Sequence, residues 1–191
     1  MFKYLLQLSL FAAACTSYRQ DSTLSPFPPM FMLDNEKNVE SLRECWDKIP
    51  SLQSIKRQLQ RGNLNLEKRV LELMLWVLDG GNCNLKLRTV SEEAREAVVG
   101  LRDSSKDMQP HYVLEVTNTN SQRWMEGVRE QEHLWAFHGS RLDNFYSILH
   151  YGLQQHRSKT GLFGEGIYLC EELGVSLTYS GQGLGWSRWV V

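Results

Sequence analysis

A chain of 191 residues, 42% hydrophobic and 23% charged, is long enough for one large or two small domains and has an ordinary globular make-up. Its formal net charge of −1, with no basic run, lacks the electrostatic footprint of a nucleic-acid binder. The four cysteines, Cys15, Cys45, Cys83 and Cys170, form no Cys-x-x-Cys pair and are too few to staple a chain of this length, so free thiols and no metal site are expected.

The first residues admit two readings. Met1-Phe2-Lys3, then YLLQLSLFAAAC with Ala12-x-Ala14, has the layout of a secretory leader. The same stretch places Leu5, Leu8 and Phe11 or Ala12 on one helical face. The second reading expects a packed helix over residues 2–18 of the mature protein. The first expects a secreted or lipidated protein cut near Cys15. Gln7 and Ser9 interrupt the stretch, which is too short to span a bilayer.

Residues 24–31, LSPFPPMF, predict an extended connector, because three prolines oppose helix. A helix is predicted over 36–49, capped by Asp34 or Asn35 and stopped before Pro50. Ser51 caps another to Gln60, closed by Gly62. Asn65 is read as the cap of the helix EKRVLELMLWVLD, which ends at Gly80-Gly81 and buries Val70, Leu73, Trp76 and Val77. Residues 84–90 predict a short strand. Ser91 then caps a helix with Glu92 and Glu93 in its first turn. The first half therefore reads as an α-helical bundle.

Residues 103–110 are polar and end in proline, which places a domain boundary there and divides the chain into 1–105 and 106–191. Tyr112, Leu114 and Val116 alternate with Val113, Glu115 and Thr117, a strand pattern. Residues 118–121 read as a turn. Next comes an apolar run over 134–137 that ends abruptly in His138-Gly139-Ser140. His133 and His138 are five apart on this strand and point to opposite faces. A helix follows with Leu142, Phe145 and Leu149 on one face and Gly152 past its end. A glycine-rich loop over 161–166 leads into the strand Ile167-Tyr168-Leu169, then a helix with Ser176 and Tyr179.

These residue types suit a nicotinamide ring. Gly139 lets a planar ligand lie on its backbone, and its N–H and C=O can pair with a carboxamide. Ser176 adds a hydroxyl. Tyr168 and Tyr179 offer flat faces, and stacking on the cationic ring of NAD adds a cation–π contribution. His138 can hold a ribose hydroxyl. Glu165, between two glycines, reads as solvated. The glycine loop is no Rossmann fingerprint, because its spacing is wrong and the strand follows it.

In order and spacing, His138-Gly139-Ser140, Gly164-Glu165-Gly166-Ile167-Tyr168 and Ser176 ahead of Tyr179 resemble the catalytic core of the poly(ADP-ribose) polymerase family of ADP-ribosyltransferases. HGSRLDNFYSILHYGL and LFGEGIYL resemble most its tail-anchored, mono-ADP-ribosylating branch of the endoplasmic reticulum. SYRQDSTLSPFPP, residues 17–29, carries a second match, so the resemblance runs to about Trp186.

The resemblance implies an α+β protein: an N-terminal helical regulatory-type domain, then the first part of a fold of two antiparallel sheets. It implies NAD as substrate, transfer of ADP-ribose to protein acceptors, release of nicotinamide, and no metal. His138 and Tyr168 become the catalytic residues. His138, Gly139, Ser140, Tyr168, Ser176 and Tyr179 become the NAD-binding set. It also implies the cytosolic face of the endoplasmic reticulum membrane, reached through a C-terminal anchor. After Tyr179 only GQGLGWSRWVV follows, without the further strands, the third triad residue or the anchor. The expectation is a C-terminally truncated form, cytosolic, with little or no transferase activity. The alternative is a non-catalytic isoform acting as a binding or regulatory module.

Overall fold

The computed structural model describes residues 2–81, 84–100, 110, 112–128, 130–132, 134–155 and 164–181. Helix α1, Phe2–Thr16, is the centre of the core. Every residue from Gln7 to Cys15 is buried, so α1 has no single buried face as expected; it is enclosed on all sides. Its small and apolar residues allow this, since a helix without a polar face belongs in an interior. A short helix α2, Gln20–Thr23, follows, which the sequence reading missed.

The proline segment forms no regular helix or strand before its end: it bends at Leu24 and at Pro26, which follows a cis peptide bond, and Pro29–Phe31 then form a 3₁₀ turn with Pro29 at its first position. Strands β1, Met32–Leu33, and β2, Glu36–Lys37, then pair as an antiparallel hairpin. This corrects the helix expected over 36–49. Asp34 and Asn35 do not cap it; they form the hairpin turn, with φ of 48° and 66°. Two left-handed residues in a row suit a two-residue hairpin, and Asp and Asn tolerate them. The helix begins one turn later as α3, Val39–Asp47, where Asn38 accepts from the Ser41 N–H at 2.9 Å.

Helix α4, Leu52–Gln60, is capped by Ser51 as expected, its hydroxyl accepting from the Ser54 N–H. Helix α5, Lys68–Leu78, starts after Glu67 rather than after Asn65, and the Glu67 side chain makes no capping bond. Its buried stripe is Val70, Leu73, Met74 and Val77, with Trp76 half-buried beside it. Gly80, at φ 81°, ends it; a Cβ there would strike the Leu85 backbone.

Strand β3, Lys86–Thr89, precedes helix α6, Glu92–Val99, which Ser91 caps through the Ala94 N–H. Strand β4, Leu114–Thr117, pairs antiparallel with β3, Leu87 opposite Val116. Residues 118–121 are not a turn: helix α7, Thr119–Val128, begins there. Asn118 and Thr119 are as common at a helix start as in a turn, and the sequence alone did not separate the two. The strand expected over 134–137 is reduced to Phe137, in an isolated antiparallel bridge with Cys170. Residues 167–169 are likewise not a strand. Helices α8, Leu142–Tyr151, and α9, Leu173–Thr178, flank the segment between, of which residues 156–163 lie outside the described set.

The fold is thus mixed α and β, with small antiparallel sheets, consistent with a partial catalytic fold of the expected kind. Helix α1 packs on α8, α5, α2 and α3. Phe11 sits among Trp46, Trp76 and Tyr146, with ring centroids 5.0, 6.3 and 5.3 Å away. Tyr146 belongs to α8, so residues on both sides of position 105 share one apolar core.

Candidate functional site

The site lies where the chain leaves the Phe137–Cys170 bridge and enters α8. The bridge is tight: Phe137 N–H donates to the Cys170 carbonyl at 2.7 Å and Cys170 N–H to that of Phe137 at 2.9 Å. It sets His138 beside Tyr168, with His138 Nδ1 2.9 Å from the Tyr168 carbonyl oxygen. The Tyr168 hydroxyl donates to the Gly164 carbonyl at 2.7 Å and so ties the tyrosine back to the glycine loop.

Gly139 presses against α9. A Cβ on Gly139 would overlap the carbonyl of Ser176, so only glycine permits this approach. The absent side chain thus makes room for protein backbone, not for a ligand face on that side. Neither the N–H nor the C=O of Gly139 is bonded to another described residue. Ser176 is buried, and its carbonyl accepts from the Tyr179 N–H and the Ser180 hydroxyl, each at 3.1 Å. Tyr179 caps the end of α9 and is 60% exposed; Tyr168 is 41% exposed. Glu165 is exposed.

Ser140 is held from the other side. Asn144 Nδ2 donates to its hydroxyl at 2.8 Å, and Arg19 donates to Asn144 Oδ1 at 2.9 Å. Asp143, only 3% exposed, accepts from the Ser17 hydroxyl at 2.7 Å and from Arg141 Nε at 3.2 Å. Burial pushes the Asp143 carboxyl up, but the bonds from Ser17 and Arg141 and the charges of Arg141 and Arg19 outweigh it, so the group titrates below its ordinary value. Sequence reading did not single out Asp143 or Asn144. An acidic residue in the first turn of a helix is ordinary, and nothing local linked either residue to positions 17 and 19.

The structure therefore brings the His138 imidazole to the Tyr168 carbonyl, and Gly139 to Ser176 and Ser176 to Tyr179 through backbone contacts. What these groups can offer chemically is a backbone donor–acceptor pair, a buried serine and two open aromatic faces. Such a set can hold a flat amide-bearing ring, and it contains no strong general acid.

Elsewhere, Cys15, Cys45 and Cys170 are free thiols, and Cys83 lies outside the described residues. Burial raises the pKa of the Cys15 and Cys45 thiols, which makes them poor nucleophiles. Among the described residues no group of His, Cys, Asp and Glu is placed to hold a metal ion. No described helix is long and apolar enough to cross a membrane.

Residues 5–78 match the ARTD15 N-terminal domain, and residues 97–186 match the poly(ADP-ribose) polymerase catalytic domain. The "Protein mono-ADP-ribosyltransferase PARP16" of Mus musculus is 34% identical over 187 residues, and that of Homo sapiens 36% identical over 187 residues. Each alignment takes in 96% of this chain and 56% of the relative, so the chain spans about half the length of the curated relatives it matches. Two domain matches in chain order, and an identity that runs through both, agree with the motif geometry around Gly139: the chain belongs to the poly(ADP-ribose) polymerase family.

Proposed function

We propose that the chain carries the nicotinamide-binding part of a mono-ADP-ribosyltransferase, with NAD as substrate and proteins as acceptors. The observation that supports this best is Gly139. Its backbone is fixed by Ser176, and its N–H and C=O are bonded to no other described residue. Two such groups match the carboxamide of nicotinamide, acceptor to donor and donor to acceptor. In this reading Ser176 adds a third polar contact, Tyr168 and Tyr179 stack on the ring, and His138 with Ser140 lines the ribose. His138 and Tyr168 are the catalytic residues.

The reaction resembles glycoside cleavage. The bond from ribose C1 to the nicotinamide nitrogen breaks through an oxocarbenium-like state, and the acceptor side chain attacks C1 and loses its proton to solvent or a base. The pair of electrons leaves with nicotinamide, which departs neutral, so no acid is needed to protonate it. The protein's contribution is orientation, which can supply much of the rate.

The division into a helical region, residues 1–105, and a partial catalytic region, residues 106–191, belongs to this reading and is supported by the two domain matches. So does a place at the cytosolic face of the endoplasmic reticulum. A second reading, a non-catalytic binding module, is favoured by the exposure of Tyr168 and Tyr179, since transfer to an acceptor rather than to water asks for a closed site.

One experiment separates these. The full chain is titrated with NAD, and nicotinamide release is followed in the same solution. Saturable binding with release and label transfer to protein supports the transferase. Binding without turnover supports the module. No binding of NAD or of a nicotinamide mimic such as benzamide sinks both.

A further inference from the structure

The loop 138–141 has no regular structure of its own after Phe137, yet its backbone has to hold to a fraction of an ångström against Ser176. Two polar links reach it from the N-terminal region. Ser17, just past α1, donates to one oxygen of Asp143, while Arg141 donates to the other. Arg19 donates to the amide oxygen of Asn144, while the amide nitrogen of Asn144 donates to Ser140. Each of these two side chains thus spends one atom on residues 17–19 and the other on the loop. Asp143 and Ser17 are buried, and a buried carboxylate is tolerated only where its bonds are made. Simple packing of α8 on α1 is already supplied by Phe11 and Tyr146, so this clasp is not needed to attach the helix.

We propose that Asp143 and Asn144 are positioning residues, through which Ser17 and Arg19 of the N-terminal region set the Gly139–Ser140 loop against Ser176. The proposal rests on the reading of Gly139 as the carboxamide partner of NAD. The N-terminal helices then act on the site by holding the loop that follows Phe137, without touching substrate.

The test uses the full chain and the variants Arg19→Ala, Asn144→Ala, their double variant and Arg19→Lys. Arg19 is exposed, so its loss leaves the core intact. Hydrogen exchange is read peptide by peptide. The expected result is faster exchange confined to residues 138–144 in both single variants, little added in the double variant, and partial recovery in Arg19→Lys. Unchanged exchange at 138–144, or a loss of protection spread equally over α1 and α5, overturns the proposal. In parallel, NAD affinity is expected to fall about three- to tenfold in each single variant, the scale of one lost hydrogen bond. Wild-type binding with unaltered variants also overturns it. If the wild type binds no NAD but exchange at 138–144 responds as stated, the transferase reading fails and the clasp stands.

Discussion

The carbonyl of Ser176 occupies the place where a Cβ at position 139 would sit. Gly139→Ala therefore requires the loop and α9 to part. Overpacking of this kind costs about 1–3 kcal/mol where the backbone gives way. The expected result is a lower midpoint of thermal unfolding and loss of NAD binding. Gly166→Ala is the control, because no described residue lies within 4 Å of a Cβ there. Equal behaviour of the two variants in a thermal melt and an NAD titration would contradict the assigned contact.

Phe11 joins the two halves of the protein, touching Trp46 and Trp76 on one side and Tyr146 of α8 on the other. Removing a buried phenylalanine ring costs about 3–5 kcal/mol. Phe11→Ala should therefore lower stability to urea by that amount, and amides in α8 should lose protection together with those in α1 and α5. Retained protection of α8 in the variant would show that the helix does not depend on this core.

Much of the helical half was legible because its signals are local. Ser51 and Ser91 cap the helices that their positions predicted, and Gly80 ends α5 where a left-handed residue was needed. Asp34 and Asn35 misled because the same residue types serve caps and hairpin turns, and only the pairing of Met32 with Lys37 decides between them. Helix α8 was read by its apolar face, Leu142, Phe145 and Leu149, which is half-buried. Its deepest face is Asp143, Tyr146, Ser147 and His150; Asp143 and Tyr146 bond to Ser17 and Pro26, more than a hundred positions away. Periodicity cannot reveal a buried polar face, because its stabilising bonds are not in the neighbourhood of the sequence. Gly139 and Ser176 each stand out in the sequence, whereas the contact between them, backbone on backbone, leaves no mark beyond the glycine itself.

His150 makes stability depend on pH. Burial disfavours its charged form, and the carbonyls of Tyr146 and Gly80 only partly offset this, so its pKa in the folded protein lies below 6.5. In the unfolded chain it returns to about 6.5. Between the two values the unfolded state binds more protons, so stability rises with pH through that window. The contribution is complete above about 6.5 and is lost as pH falls toward the folded value. Asp143, also depressed, adds a second loss only at lower pH, below about 3.9. Urea midpoints at pH 7.5 and 5.5 should fall further for the wild type than for His150→Gln. Parallel slopes would rule out His150 as the group responsible.

Tyr179 and Tyr168 differ in how they are held. The Tyr168 hydroxyl is bonded to the Gly164 carbonyl, whereas Tyr179 stands at the end of α9 with most of its ring open. If both stack on nicotinamide, Tyr179→Ala should lose a contact worth on the order of 1 kcal/mol, roughly a fivefold weaker NAD affinity. Tyr179→Phe should retain it, since the ring rather than the hydroxyl is used. Tyr168→Phe should instead loosen the glycine loop, read as faster hydrogen exchange at Gly164 to Gly166. An alanine at 179 with unaltered affinity would remove the stacking role.

The bridge between Phe137 and Cys170 stands alone among the described residues, and its surroundings are apolar and open. Leu134 is 95% exposed and Trp135 74%, with Ile167, Leu169 and Leu177 also exposed. The backbone groups of residues 134–136 bond to no described residue. Extended chain with free backbone groups and large apolar side chains is a template for pairing with another molecule. This 191-residue chain should therefore associate with itself as its concentration rises, by apposition of these segments. Leu134→Lys with Trp135→Glu places opposed solvation costs at that edge while leaving the core of α1, α5 and α8 untouched, so stability should change by no more than about 0.5 kcal/mol per site. Sedimentation velocity should show the wild type shifting to larger species with concentration and the double variant remaining monomeric. A wild type that sediments as a monomer at every concentration, or a double variant that associates as the wild type does, would locate the sticky surface elsewhere.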